Sequence, residues 1–329
     1  MILFRAEGNA TTGLGHIYRA LSLIDMIQET TWNYSLIVHK KSCVEIIPKH
    51  INIDSIDDDT DEFSLFLKYK KAGFKLLILD GYQFNSEYQK KAKDLGFKIL
   101  YIDDLCEEFM YADAVINHCA GLKQNNFQKA QYTRLFLGPP YAILRKPFLD
   151  FNHIKNKNKA NNQVFINFGG ADPMNISAKV LPWIVEFDLF NKIIVVTGKA
   201  YQKQLEDSKN EKVLFYQNID AQQMANLIAT SSLAIVPAST VLYEVCAINK
   251  PVISGYYVEN QEKIYKGFLN ERLINGVGDF RKLEKTFFIN NISHLLLNKT
   301  SRDELLMNQK KWFDGMSGNR IINIIQSLL

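Results

Sequence analysis

The residues best suited to chemistry lie near the start of the chain, in the stretch Gly13-Leu14-Gly15-His16. An apolar run (residues 1–4) precedes this stretch, and apolar residues at helical spacing follow it. A strand, a glycine-rich turn and a helix in this order direct backbone N–H groups and a positive helix end toward a ligand. A helix N-terminus disfavours imidazolium, so we expect a neutral His16 that can accept a proton. The alternative is that His16 only occupies an exposed helix start.

Composition limits the classes of protein to consider. A length of 329 residues favours two domains. The net charge of +4 is small and spread along the chain, which argues against a nucleic-acid surface but suits a small anionic ligand. The four cysteines are scattered without a Cys-x-x-Cys pair, which is typical of reduced thiols in a cytoplasmic protein. We expect no secretion signal, no membrane span and no metal held by these thiols.

In the first half, short apolar and β-branched runs alternate with helical stretches, a pattern typical of a parallel sheet with helices on both faces. Strands are predicted at residues 1–4, 34–39, 76–80, 98–103, 114–117 and 134–137. Ligands of such sheets bind at the carboxyl ends of the strands, where several polar residues follow: Glu7, His16, Asp80, Tyr82, Asp103 and Asp104.

Spacing alone favours modest roles for some of these side chains. Asp80 is predicted to cap a turn, and Tyr82 is predicted to be half-buried packing. The alternative is that Tyr82 presents its hydroxyl to a ligand. Asp103 and Asp104 are predicted to form a turn and capping pair, because no further ligand stands at metal-binding spacing.

The pattern restarts in the second half. Residues 148–162 are rich in Asn and Lys, which predicts a linker. Strands are then predicted at residues 164–168, 192–197, 213–215, 233–236 and 252–254, with a glycine turn at Gly169-Gly170 after the first. We therefore predict an α/β protein with Rossmann-like domains at 1–147 and 163–300. Helices at 301–329 are expected to pack back on the first domain.

The stretch Ser239-Thr240 is predicted to begin a helix whose N-terminus faces the carboxyl edge of the second sheet. Small hydroxyl side chains and N–H groups at such a position suit a diphosphate. Glu244 lies one turn further on. It is either an ordinary solvated or capping glutamate or an acceptor for two ribose hydroxyls. Asn260 opens another helix at the same edge.

Taken in order, these motifs resemble the UDP-sugar hydrolases of pseudaminic-acid biosynthesis, relatives of the peptidoglycan N-acetylglucosaminyltransferase with the GT-B fold. The resemblance covers essentially the whole chain and rests on residues 13–19, 137–145, 168–173, 239–246, 259–261 and 314–320. It implies two Rossmann-like domains with parallel sheets and a ligand cleft between them.

The resemblance also implies the reaction. In that family, water attacks the anomeric carbon of UDP-2,4-diacetamido-2,4,6-trideoxy-β-L-altropyranose, and UDP leaves. The freed sugar then enters a nonulosonic acid of the cell surface. His16 matches the essential histidine, Tyr82 and Asn260 match residues that contact the sugar or diphosphate, and Glu244 matches the ribose-binding glutamate. No cofactor or metal is implied. The other substrate-binding residues that we predict are Thr12, Gly13, Gly15, Arg19, Gly170, Ser239 and Thr240.

Two stretches depart from the family pattern. Residues 9–12 lack the usual serines, although Thr12 offers a hydroxyl, and residues 117–120 differ from the usual Asp/Asn-Gln form. Both are expected on the sugar side, so the identity of the sugar stays open, as do the oligomeric state and the choice between C–O and P–O cleavage.

The alternatives are a GT-B glycosyltransferase that uses a UDP-sugar donor and a non-catalytic nucleotide-sugar binding protein. A dehydrogenase is disfavoured because Tyr18 stands where the third glycine is needed. No Gly-Lys-Ser/Thr loop exists, which excludes a P-loop enzyme.

Overall fold

The computed structural model describes residues 1–8, 14–149, 162–201 and 210–329. These residues form two compact units. The first unit contains Met1–His118, Leu122–Lys146 and Met316–Leu329. The second unit contains Cys119–Gly121 and Pro147–Gly315. Most of the predicted linker lies outside the described residues, and the predicted domain limits stay predictions.

The first unit is built on a parallel sheet. Its described strands are β1 (Ile2–Ala6), β2 (Tyr34–His39), β3 (Ile53–Ile56), β4 (Leu76–Asp80), β5 (Lys98–Ile102), β6 (Ala114–Asn117) and β7 (Arg134–Leu137). They lie in the order β3-β2-β1-β4-β5-β6-β7, and every pair is parallel. The chain builds outward from β1 in one direction and then returns to β4 on the other side. Ligands bind at such a reversal of strand order, which here lies between β1 and β4.

Helices cover both faces of this sheet. They are α1 (Gly15–Ile27), α2 (Glu62–Lys71), α3 (Ser86–Asp94) and the C-terminal α11 (Ser317–Gln326). The short α4 (Lys146–Leu149) spans the boundary between the two units in the sequence. Polar caps set where two of them start. The side chain of Asp61 accepts from the amides of Phe63 and Ser64 at the start of α2, and Asn85 caps α3 in the same way. Fully buried apolar residues, such as Leu3, Ile37, Leu77 and Ile99, form the core.

The second unit repeats the plan. Its described strands are β8 (Gln163–Ile166), β9 (Lys192–Thr197), β10 (Val213–Gln217), β11 (Leu233–Pro237), β12 (Val252–Tyr256) and β13 (Asn275–Asp279). The parallel order is β10-β9-β8-β11-β12-β13, so the reversal lies between β8 and β11. Its helices are α5 (Ile176–Val185), α6 (Ala221–Thr230), α7 (Thr240–Ala247), α8 (Glu259–Asn270), α9 (Lys285–Leu297) and α10 (Lys299–Trp312).

The predicted α/β class with two parallel sheets is confirmed, and every predicted strand is present within two residues of its expected ends. Strands β3 and β13 were not predicted. The first is a short, half-exposed edge strand, and the second contains Gly276 and Gly278, which weaken a strand pattern.

Gly255 in β12 provides a test of how tightly the second unit is packed. A Cβ atom there would lie 2.3 Å from the carbonyl oxygen of Gly278 and 3.0 Å from the ring of Phe280. We expect Gly255→Ala to lower the free energy of unfolding by about 1–3 kcal/mol in chemical denaturation, because the backbone must move apart. Gly170→Ala is the control, since its Cβ would meet no heavy atom nearer than 4.0 Å. Equal stability of the two variants would contradict the packing.

Candidate functional site

A buried ion-paired cluster lies in the first unit where the strand order reverses. His16 is the second residue of α1, and Asp80 is the last residue of β4. The Nδ1 atom of His16 lies 2.7 Å from Oδ1 of Asp80. Their exposed fractions are only 6% and 1%. His16 is therefore not an exposed helix-start residue, and Asp80 is a partner of the imidazole instead of the turn cap expected from spacing.

Arg19 holds the carboxylate of Asp80 from one turn further along α1. Its Nε donates to Oδ2 of Asp80 at 2.8 Å, and its Nη2 donates to Oδ1 at 2.6 Å. Nη2 also lies 2.7 Å from Nδ1 of His16. Because an ionised carboxylate can only accept, we assign the imidazole proton to Nδ1, from which it is donated to Asp80. Nε2 then carries the lone pair, as a general base requires.

Asp104 is the second carboxylate on the same guanidinium. It accepts from Nη1 and Nη2 of Arg19 at 3.1 and 2.9 Å. Burial on its own would raise the pKa of Asp80, but Arg19 and then His16 outweigh it and hold that pKa at about 2. Burial would also raise the pKa of Asp104, but the positive charge of Arg19 outweighs this effect. The pKa of Asp104 is therefore lowered as well. Two carboxylates and one guanidinium leave a single net negative charge beside the imidazole of His16.

Asp103 behaves as the turn prediction expects. Its carboxylate accepts from the backbone amides of Leu105 and Cys106 and from Nδ2 of Asn117. Burial raises its pKa, against the effect of these donors. Asp104, by contrast, faces Arg19, so the two neighbouring aspartates have different roles.

Two aromatic side chains border His16 and its partners. The ring of Tyr82 meets the imidazole of His16 edge-on, with 4.7 Å between centroids, and remains partly exposed. His118 follows β6 at the same sheet edge and is buried. Burial and then the charge of Arg19 lower the pKa of His118 to about 4, although Asp104 and Asp80 act in the opposite direction. His118 is therefore neutral at pH 7.

In the second unit, α7 begins at the reversal of strand order. Ser239 occupies the N-cap position with an extended backbone, but its side chain makes no capping hydrogen bond. The amides of the first turn and two hydroxyls, those of Ser239 and Thr240, therefore lie at the carboxyl edge of the sheet. Such a helix start is suited to an anion.

Glu244 lies one turn into α7 and is only 2% exposed, so it is not the solvated surface glutamate that one interpretation of the sequence allowed. At the same edge of the sheet, the loops after β8 and β9 approach each other closely. The amide of Gly198 donates to the carbonyl of Gly170 at 2.9 Å, and a Cβ on Gly198 would lie 2.7 Å from Cα of Gly170. Only a glycine permits this approach of the two loops.

The loop after β12 is tied to the loop after β8. The hydroxyl of Tyr257 donates to the carbonyl of Phe168 at 3.1 Å, and the amide of Tyr257 donates to Oε1 of Gln261. Asn260, the residue before Gln261, lies in the first turn of α8 and is exposed. One hydrogen bond therefore joins the two loops at the carboxyl edge of the second sheet.

The predicted site residues thus fall into two groups. Gly15, His16, Arg19 and Tyr82 lie at the carboxyl edge of the first sheet, whereas Gly170, Ser239, Thr240, Glu244 and Asn260 lie at that of the second. Thr12 and Gly13 lie outside the described residues. Sequence reasoning missed Asp80, Asp104 and His118 as neighbours of the histidine. Both aspartates follow predicted strands, which was the available signal in the sequence. That signal identifies them as neighbours of His16 only once the order of the strands in the sheet is known.

Neither a metal site nor a membrane-spanning helix is found among the described residues. No group of three or more of their His, Cys, Asp or Glu side chains could hold a metal ion. No helix in the described ranges has the length and apolar character needed to cross a membrane.

His118 predicts how stability depends on pH. Its pKa is about 4 in the folded chain against an ordinary 6.5, so the unfolded chain binds more protons between these values and stability falls as the pH drops through them. This loss is about 3 kcal/mol. We expect urea denaturation from pH 7 to 4 to show a clearly smaller loss for His118→Asn than for the natural chain. Exposed His294→Asn should leave the dependence unchanged. Parallel curves for His118→Asn and the natural chain would contradict a buried neutral imidazole.

Known proteins resemble the chain at moderate to low identity, and no family model matches it. The uncharacterized protein MJ1062 of Methanocaldococcus jannaschii is 29% identical over 280 residues, which is 80% of this chain but 57% of that protein. The UDP-2,4-diacetamido-2,4,6-trideoxy-β-L-altropyranose hydrolase of Campylobacter jejuni is 25% identical over 79% of this chain and 93% of its own. The spore coat polysaccharide biosynthesis protein SpsG of Bacillus subtilis is 24% identical over 98% of this chain and 97% of its own length.

Solved structures match the whole length. MurG of Acinetobacter baumannii superposes with a TM-score of 0.69 at 13% identity and covers 99% of both chains. HepE of Anabaena, solved with UDP, superposes with a TM-score of 0.62 at 14% identity over 100% of both. At these identities the likeness concerns the fold alone. The chain therefore has the GT-B fold, with two Rossmann-like domains.

Proposed function

We propose that this protein is a nucleotide-sugar hydrolase that removes UDP from UDP-2,4-diacetamido-2,4,6-trideoxy-β-L-altropyranose by attack of water on the anomeric carbon. The observation that carries the proposal is the buried His16–Asp80 pair, held by Arg19 at the strand-order reversal. The Campylobacter relative, a hydrolase of that UDP-sugar, supports the substrate class across 93% of its length. The freed sugar would serve a nonulosonic acid of the cell surface, and the scattered thiols favour the cytoplasm as the compartment.

His16 acts as the general base in this proposal. Its Nε2 accepts a proton from the attacking water, while Asp80 keeps the other nitrogen protonated and stabilises the imidazolium that forms. One positioned base of this kind contributes roughly 10²–10⁴-fold in rate. Tyr82, packed edge-on against the imidazole, limits its rotation and offers a hydroxyl for the sugar.

The second unit binds the UDP. The amides of the first turn of α7, with the hydroxyls of Ser239 and Thr240, receive the diphosphate and stabilise the charge that develops on it as the bond breaks. Glu244 accepts from the ribose hydroxyls, and the close loops of Gly170 and Gly198 let backbone approach the nucleotide. Asn260 contributes a polar contact from α8.

A second candidate is a GT-B glycosyltransferase that uses a UDP-sugar donor. The fold is compatible with it, since the glycotransferase of kitacinnamycin has the same fold at 8% identity. The same base would then take the proton of an acceptor hydroxyl in place of that of water. A non-catalytic nucleotide-sugar binding protein would bind the donor without consuming it.

Incubation with this UDP-sugar in heavy-oxygen water, followed by mass spectrometry, separates these functions. Hydrolysis at the anomeric carbon places the label on the free sugar. Label on UDP would move the attack to phosphorus and contradict the proposed step. No turnover without an added acceptor, while the UDP-sugar still binds, would overturn the hydrolase in favour of a transferase or a binding protein.

His16→Asn tests the base. We expect turnover to fall by about 100-fold or more, because the proton acceptor is lost, while the UDP affinity in calorimetry stays unchanged. Turnover above about a tenth of the natural rate would exclude this role. Asp80→Asn is the companion variant. It should lower kcat with little change in KM, since Asp80 only positions and stabilises the imidazole.

Glu244→Ala tests the ribose contact. Two hydrogen bonds to a charged acceptor are lost, so the UDP dissociation constant should rise by about tenfold or more in calorimetry. The matched control is Glu211→Ala, an exposed glutamate of the same unit, which should bind UDP as the natural chain does. Equal affinities of the two variants would mean that Glu244 does not contact the nucleotide.

A further inference from the structure

A concave site of about 240 Å³ lies in the first unit, away from the His16–Asp80 pair. It is formed at the edge strand β7, and its lining residues are Arg134, Phe136, Tyr141, Arg320, Asn323, Ile324 and Ser327. In the sheet order, β7 is the third strand from β4, which ends at Asp80. At the usual strand spacing that separation is roughly 14 Å, and neither His16 nor Asp80 is among the lining residues. We refer to it as the edge cavity.

Local structure builds this cavity from three segments. Arg134 and Phe136 are two residues apart on β7 and therefore point to the same face. The lining residues of α11 and the residue after it recur at helical spacing, so they share one stripe. Gly138, with a φ of +90°, turns the chain after β7 into a short 3-10 helix, Pro139–Tyr141. The turn brings the ring of Tyr141 to 5.4 Å from that of Phe136.

Two arginines line the edge cavity, and the guanidinium group of Arg134 is held by a neutral acceptor. Arg134 donates from Nη2 to Oγ of Ser327 at 2.9 Å, and its Cζ lies 5.7 Å from the centroid of Phe136. Arg320 donates from Nη1 to the carbonyl of Pro140 at 3.3 Å. None of the lining residues is acidic, and Arg134 forms no ion pair with a carboxylate in the described part of the chain. Most of the five N–H donors of Arg134 remain for a ligand.

We propose that the edge cavity binds a small organic oxyanion, a carboxylate or phosphate monoester carried on a ring. A guanidinium fork matches both oxyanions in geometry as well as charge. Phe136, Tyr141 and Ile324 supply an apolar surface for the ring. The volume is below the usual range for drug-sized ligands, which suits a ligand of about one ring.

Titration calorimetry tests this proposal with three probes: glucuronate, glucose 6-phosphate and uncharged glucose. Saturating UDP is present throughout, so that the proposed nucleotide site is already filled. We expect at least one anion to bind with a dissociation constant on the order of 1 mM, and glucose not to bind. Binding of glucuronate alone would assign a carboxylate ligand, and binding of glucose 6-phosphate alone would assign a phosphate.

Arg134→Gln should weaken binding of the anion tenfold or more, while Arg272→Gln, at an exposed arginine of the second unit, should not change it. Arg134→Lys keeps the positive charge but loses the guanidinium fork, so we expect an intermediate loss of affinity for the anion. This second variant provides the test if Arg134→Gln folds poorly. The proposal is overturned if neither anion binds, if glucose binds equally well, or if both Arg134 variants bind like the natural chain. Since UDP affinity is a separate readout, failure here leaves the proposed hydrolase unaffected.

Discussion

The carboxylate of Asp80 is the constraint on which the first unit depends. It is nearly inaccessible to water, and only Arg19 and His16 make its charge tolerable there. Both partners come from α1, so the same contacts join α1 to the end of β4. Removing one partner of such a pair leaves a buried charge uncompensated, at a typical cost of about 3–5 kcal/mol. The position of His16 is therefore fixed by folding itself, before any ligand is present.

The two units apply one backbone plan to different chemistry. In each, a parallel sheet reverses its strand order and a helix starts at that point. The start of α1 carries an imidazole with a carboxylate behind it, which suits proton transfer. The start of α7 carries small hydroxyls and amides, which suit an anion. Side chains at equivalent places, and not the shared architecture, therefore distinguish what the two units can do.

Much of this fold could be predicted from the sequence because buried parallel strands consist of short apolar runs that alternate with helical stretches. The pattern failed where burial is partial, as in β3, or where glycines interrupt it, as in β13. The candidate site was harder. His16 was found from the glycine turn beside it, but Asp80 lies 64 residues away and was taken for a turn cap. Its pairing depends on β1 and β4 being neighbours, which local patterns do not encode.

The start of α7 has a consequence for how the second unit responds to its ligand. The side chain of Ser239 does not cap this helix, so the first turn lacks the side-chain acceptor that an N-cap serine usually supplies. An anion seated there would complete the cap, so ligand occupancy and helix integrity become thermodynamically linked. At a ligand concentration a hundred times its dissociation constant, that linkage is worth about 2.7 kcal/mol. An anion that binds there would therefore raise the free energy of unfolding of the second unit.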